Sequence, residues 1–356
     1  MGLSSGKLDH ARHRADAYRR TDRGKASSRL RAGRFAGCLT PLLWACLWLC
    51  LWAPPLRAEP VTLATWNVDL TRKGPGLLLR DLLKGKLGPV VGEIAQADPD
   101  VLLLTDIDHD HDGVALAQLA RMLAEAGAVY PYRLTARPNS GMPTGLDLDG
   151  DGRLGGAGDA QGYGEFSGQG GMAVLSRLPV TLERDFSALL WADLPGNLRI
   201  AEDPAPDLQR LSSSAHWQLR LDSEPPLSLL AWHATPPVFD GPDDRNGRRG
   251  ADELALWLRL LDGALGAPPQ IPVLIGDANI DPARGEGRHD AIRAALDDPR
   301  LQDPLPGTDT VIWEQTGPMR VSYILPSATL TVLDAQTRPP IVDDPHRMVL
   351  VTLDLP

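Results

Sequence analysis

The chain has 356 residues, and its 36 Lys plus Arg stand against 46 Asp plus Glu, a net charge of −10. Eleven of the basic and three of the acidic residues fall in the first 58 positions, so residues 59–356 carry −18. That balance disfavours tight binding of long nucleic acid, which needs phosphate neutralisation. All three cysteines (Cys38, Cys46, Cys50) lie in the same leader, which excludes a disulfide, a thiolate metal site and a cysteine nucleophile from the remainder.

Residues 1–37 are basic, and the apolar run CLTPLLWACLWLCLWA (38–53) follows, then PPLRA and Glu59. Basic, apolar and small in that order is the pattern of a secretory signal, with cleavage expected after Ala58. The run is near the lower length limit for a membrane helix, so an uncleaved anchor is the alternative; after cleavage no stable span remains. The expectation is a secreted or periplasmic monomer, with 1–58 as signal peptide and basic leader. A single domain over 59–356 is long enough to bury a sufficient core without disulfides.

Strand candidates recur along that domain: VTLATW (61–66), VLLLT (101–105), MAVLS (172–176), SAHWQLRL (214–221) and LSLLAWH (227–233). Later come PVLIG (272–276), VSYILPS (321–327), TLTVLDA (329–335) and RMVLVTLDL (347–355), with helical stretches at 111–127 and 251–266. Some strands alternate apolar and polar residues and others are apolar throughout. That mixture fits sheets packed on each other and under helices. The Gly/Asp-rich segment 138–171 reads as a long loop, which a compact fold keeps only for a purpose.

Polar groups gather where these strands end. Asn67 closes the first, and a polar strand terminus is the bland reading of it. VLLLT runs straight into Asp106, Asp108, Asp110 and Asp112, with His109 and His111 interleaved. Clustered carboxylates suit a hard cation, and Asp106, directly on the strand end, is the candidate ligand; Asp112 is expected to cap the helix that follows. His233 ends another strand, with Arg245, Asn246, Arg248 and Arg249 shortly after; a histidine there can serve a phosphate oxygen or act as general acid. In PVLIGDANIDP, Asp277 and Asn279 stand two apart on a segment expected to be extended, which projects them to one side; the bland reading is an Asx-turn. His346 precedes the last strand.

Asn, Asp, His, Asp-x-Asn and His, each at the end of a separate strand and in that order, resemble the endonuclease/exonuclease/phosphatase superfamily. The likeness spans residues 61–355, and TWNV, DPDVLLLTDID, GGMAVLSRLPV, GDANIDP and RVSYILPS carry it. The resemblance implies an α/β fold, a four-layer α/β/β/α sandwich of two mixed sheets flanked by helices (DNase I-like), and an enzyme hydrolysing a small phosphoester substrate by in-line attack of water. It implies Mg2+ or Mn2+ as cofactor, held by Asn67 and Asp106. His233 and His346 would be the histidine pair around the phosphate, Asp277 would position the attacking water and Asn279 a phosphate oxygen, with Arg245 and Asn246 as phosphate contacts. Two positions depart from the pattern. Ser322 stands where an aspartate would orient the last histidine, and Pro345 interrupts the acidic-then-histidine pair. Asp343 or Asp344 is the substitute to look for, and the alternative is a catalytically weakened metal- or phosphate-binding module on the same fold.

A further motif, DLDGDGRLGGAG (147–158), puts Asp147, Asp149 and Asp151 at the 1, 3 and 5 spacing of a calcium loop, with Gly152 at the turn. Its twelfth position is Gly158, so Asp159 or Glu165 would have to complete a Ca2+ site. A flexible acidic turn is the competing reading.

Overall fold

The computed structural model describes residues 59–341 and 344–355; the expected leader, its apolar run and Asp343 lie outside them. Among the described residues no helix is long and apolar enough to cross a membrane. In chain order the elements are β1 (Val61–Leu70), α1 (Leu77–Leu83), α2 (Gly88–Ala97), β2 (Val101–Ile107), α3 (Val114–Glu125), β3 (Tyr132–Thr135), β4 (Gly171–Ser176) and β5 (Val180–Asp185). Then come β6 (His216–Leu221), β7 (Leu227–His233), α4 (Arg245–Leu261), β8 (Pro272–Asp277) and α5 (His289–Leu296). The last are β9 (Val311–Trp313), β10 (Gly317–Met319), β11 (Ser322–Pro326), β12 (Thr331–Thr337) and β13 (Val349–Asp354).

Two mixed sheets lie face to face, one in the order β12-β13-β1-β2-β4-β3 and the other β11-β8-β7-β6-β5. Strand parity builds the layers. Leu63 of β1, Leu103 of β2, Leu229 of β7 and Ile275 of β8 share one core between the sheets. Their neighbours Ala64, Leu102 and Leu104 turn outward into a second core with α1, α2 and α3. Leu230, Trp232 and Leu274 do the same with α4 and α5. Strands buried on both faces need apolar residues at every position, which is why these runs stand out in the sequence. The four layers expected from the sequence are present.

Two helix boundaries differ from the sequence pattern. The stretch expected to be helical over 251–266 is helical over Arg245–Leu261. Its start moves forward because the carboxylate of Asp240 accepts the backbone N–H groups of Asn246 and Gly247, and Gly263 in a left-handed conformation (φ 81°) ends it. Before α3 the cap is Asp110, whose carboxylate accepts the Ala115 N–H at 2.9 Å. Asp112, expected to cap, is exposed and left-handed (φ 67°).

Helix α4 also fastens the two long loops to the core with buried charges. Glu253, 0 % exposed, accepts the N–H and hydroxyl of Ser213 at 2.6 and 2.7 Å and the N–H of Thr235 at 2.7 Å. Arg249 donates to the carbonyls of Gln161, Arg210, Leu211 and Ser212. One residue earlier Arg248 forks onto Asp203 at 2.5 and 2.8 Å. All of these partners but Thr235 lie in segments 138–171 and 188–213, so both loops have fixed attachment points.

Candidate active site

The same parity that fills the inter-sheet core aims side chains at the carboxyl ends of β1, β7 and β8. Val61, Leu63 and Thr65 face the second sheet, and Asn67 follows in step. Leu229 and Ala231 face the first sheet, and His233 follows; Val273 and Ile275 do so too, and Asp277 follows. Asn67 and Asp277 therefore meet across the sandwich, Asn67 Nδ2 donating to Asp277 Oδ2 at 2.8 Å. Strand β7 runs parallel to β8 with His233 opposite Asp277, and antiparallel β11 places Ser322 on its other side.

Asp106 arrives differently. Strict alternation along β2 would send it outward with Leu102 and Leu104, but its φ is +59°. The pairing of β2 with β4 skips a step between Thr105 and Ile107, and that with β1 skips between Asn67 and Leu70. A bulge of this kind re-aims a side chain at the end of a strand. Gly170, left-handed at φ 58°, lies so close that a Cβ there would stand 2.9 Å from Asp106 Oδ1.

Acidity dominates the pocket. Burial pushes the Asp106 carboxyl up to about 6, with the charges of Asp69, Asp277 and Asp108 adding to the rise and His233 opposing it. Burial raises Asp277 as well, against the pull of His346 and of the Asn67 hydrogen bond. Burial lowers both His233 and His346, with Asp106 and Asp277 respectively working against that trend. Burial thus penalises the charged form of every titratable group here, and a cation among the carboxyl groups would relieve that cost. The donor set fits one. Among the described residues no hydrogen bond reaches the Asp106 carboxylate, and the Asn67 amide, its nitrogen spent on Asp277, leaves its oxygen free. Mg2+ is commonly bound through one or two carboxylates while keeping several waters.

Asp277 and Asn279 do not lie on an extended segment as expected. Asn279 is left-handed (φ 53°); its N–H donates to Asp277 Oδ1 at 3.0 Å and its amide to the Ala234 carbonyl at 2.8 Å. The Asx-turn is present, and it is what holds the Asp277 carboxylate in place. His346 lies within electrostatic reach of Asp277 and His233. Neither its ring Nδ1 nor Ser322 Oγ has a partner among the described residues. Asp344 does not brace that ring: its Oδ1 accepts the backbone N–H of His346 at 2.8 Å.

Arg245 and Asn246 stand apart from this cluster. The Arg245 guanidinium donates to Gln209, and the Asn246 amide donates to the Val238 carbonyl at 2.7 Å. The first N–H groups of α4 are already taken by Asp240, so this helix end offers little to an anion.

Asp147, Asp149 and Asp151 come together, each offering an oxygen within 4.8 Å of the others, the only such acidic trio among the described residues. Asp159 lies beneath that trio, accepting the N–H of Leu148 at 2.7 Å and of Gly156 at 3.0 Å. The Leu148 hydrogen bond is the main reason its carboxyl sits below the usual range. Glu165 is exposed.

Sequence reasoning passed over Asp108 as one of a run. Its carboxylate accepts the N–H of Arg72 at 2.9 Å and of Gly170 at 3.2 Å, tying the β1 and 138–171 loops beside Asp106. It also passed over Glu253 and Arg249, whose signal is a charged i,i+4 pair on the buried face of a helix.

The endonuclease/exonuclease/phosphatase family model matches residues 64–345. No curated protein matches the sequence significantly. Among solved structures, an endonuclease/exonuclease/phosphatase from Beutenbergia cavernae DSM 12333 is 17% identical with a TM-score of 0.54, covering 83% of this chain and 72% of that one. A family protein from Leptotrichia buccalis C-1013-b is 14% identical with a TM-score of 0.50, covering 83% and 100%. One from Bacteroides vulgatus is 13% identical with a TM-score of 0.50, covering 84% and 100%. At these identities the likeness carries the fold. With the family model spanning most of the described domain, the chain belongs to the endonuclease/exonuclease/phosphatase family.

Proposed function

We propose that this chain is an exported, monomeric, divalent-metal-dependent phosphoesterase that cleaves a small phosphoester by in-line attack of water. The Asn67–Asp277 hydrogen bond carries the reading, because it joins strand ends of both sheets in one acidic pocket. Asn67 and Asp106 would hold Mg2+ or Mn2+, which supplies charge neutralisation at the phosphate when bound. Asp277, fixed by Asn67 on one oxygen and by the Asn279 N–H on the other, orients the attacking water and takes its proton. His233 and His346, uncharged at neutral pH, donate to phosphate oxygens, where charge builds in the transition state. The surplus of negative charge favours a compact substrate over long nucleic acid.

Hydrolysis of bis(p-nitrophenyl) phosphate with Mg2+ or Mn2+ is the test. EDTA and Asp277→Ala should each abolish it. No turnover of any diester or monoester with either metal refutes the reading.

The orphaned Nδ1 of His346 and Oγ of Ser322 favour a second one, a binding module whose catalytic dyad has decayed. Ser322→Asp separates the two: a decayed site gains activity sharply, and a working one gains little.

Ca2+ at Asp147, Asp149 and Asp151 belongs to the same proposal, as a pin for the 138–171 loop rather than a participant in the chemistry.

A further inference from the structure

His346 must hold its ring steady with no acceptor on Nδ1, and its surroundings show what else can hold it. The residues on either side are laced to the β9–β10 hairpin. His346 bridges Val311 in antiparallel fashion, the Ile312 N–H donates to the Pro345 carbonyl at 3.1 Å, and the Arg347 N–H donates to Thr310 O at 2.8 Å. The hairpin is itself anchored, since Thr310 Oγ1 accepts the N–H groups of Val321 and Ser322 at 2.9 and 3.1 Å, and Val311, Met319 and Val321 form a small core that Trp313 packs against. From that base the Trp313 ring meets the His346 ring edge to face, centroids 5.7 Å apart and planes at 87°. This is the favoured arrangement for an aromatic pair.

We propose that Trp313 is the positioning residue for His346: the indole and the hairpin ladder fix the imidazole by shape, in the place where a carboxylate at position 322 would fix it by hydrogen bonding. The proposal rests on His346 belonging to the phosphoester-cleaving centre described above. It explains how the site tolerates Ser322, because the ring orientation no longer depends on that position. Trp313 acts through His346 and not on the reacting atoms, so its loss should show in kcat more than in KM.

The experiment uses the full chain with Mg2+ and reads two signals, the NOEs from the His346 ring to neighbours other than residue 313 (ring resonances assigned by their loss in His346→Gln) and the kinetics on bis(p-nitrophenyl) phosphate. Trp313→Ala should weaken those NOEs and lower kcat roughly 10- to 100-fold, the scale of a misplaced catalytic group, with KM within about twofold. Trp313→Phe, which keeps an aromatic partner, should recover most of both. Should the Ala variant fold poorly, Trp313→Leu fills the space without a ring and is read the same way. An unchanged NOE pattern for the His346 ring in the Ala or Leu variant overturns the proposal, as does kcat within twofold of the parent in an active enzyme. If the parent hydrolyses no phosphoester the functional reading fails, and the NOEs alone then decide whether Trp313 orients the ring.

Discussion

Replacing Asn67 with Ala removes a side-chain hydrogen bond that joins the two sheets at the pocket. The lost bond is a 2.8 Å hydrogen bond to a carboxylate that is 0 % exposed, and hydrogen bonds to charged groups are worth about 1.5–3 kcal/mol. Because Asp277 keeps only the Asn279 N–H, the cost should sit toward the upper end, about 2–3 kcal/mol. For a domain of about 300 residues the unfolding entropy is about 0.6 kcal/mol per degree, so Tm in EDTA should fall by about 3–5 °C. The same substitution removes the oxygen proposed for the metal and the hydrogen bond that holds Asp277. We therefore expect kcat/KM on bis(p-nitrophenyl) phosphate to fall by about 10²-fold or more. The Asn67 hydrogen bond also lowers the Asp277 pKa, so its loss should shift the acid limb of the pH–rate profile to higher pH. Thermal denaturation with EDTA, steady-state kinetics with Mn2+, and a cycle adding Asp277→Ala measure these terms. Additive effects in the double mutant, or an unchanged Tm, would falsify the claim that this contact assembles the site.

Three further outcomes follow from other groups. Asp106→Asn should raise Tm in EDTA yet abolish the rise in Tm that Mg2+ produces. The parent carboxyl is raised to about 6 from 3.8, so its folding penalty is absent below pH 4, grows up to pH 6 and reaches at most about 3 kcal/mol above it; a flat pH dependence of the difference between the two proteins would contradict this. His216 is 0 % exposed and burial lowers its pKa to about 4. Protonation of the unfolded chain should therefore cost the parent up to about 3 kcal/mol as pH falls from 6.5 to 4, a loss that urea titrations of His216→Gln should not show. Asp149→Asn together with Asp151→Asn should remove any Ca2+-induced rise in Tm and any Ca2+ protection of the 138–171 loop from proteolysis, with kcat/KM within threefold; equal Ca2+ responses in parent and variant would rule the trio out as the site.

What the sequence made legible tracks how deeply each strand is buried. VLLLT and PVLIG are apolar throughout because helices cover one face and the partner sheet the other, and the groups that end such runs (Asn67, Asp277, His233) were conspicuous for that reason. Edge strands β3 and β5 carry mostly exposed or half-buried residues, so their composition is that of a loop. The β9–β10 hairpin has three residues per strand, too few for a periodicity. Asp106 was placed at a strand end correctly, but its entry into the pocket depends on a left-handed residue and a register shift that tertiary pairing imposes. The capping roles of Asp110 and Asp240 were obscured by neighbouring aspartates of equal local propensity, so only the folded chain distinguishes them.

Arg249 secures Gln161 and residues 210–212 by their carbonyls, which makes the spacing of the backbone there count as well as the side chains. Adding or deleting one residue between an attachment point and the core would put an oxygen out of reach of the guanidinium, an effect no change of side chain can offset. Changes in loop length should therefore be accepted at the exposed turn 152–155 and rejected near Gln161 and Arg210.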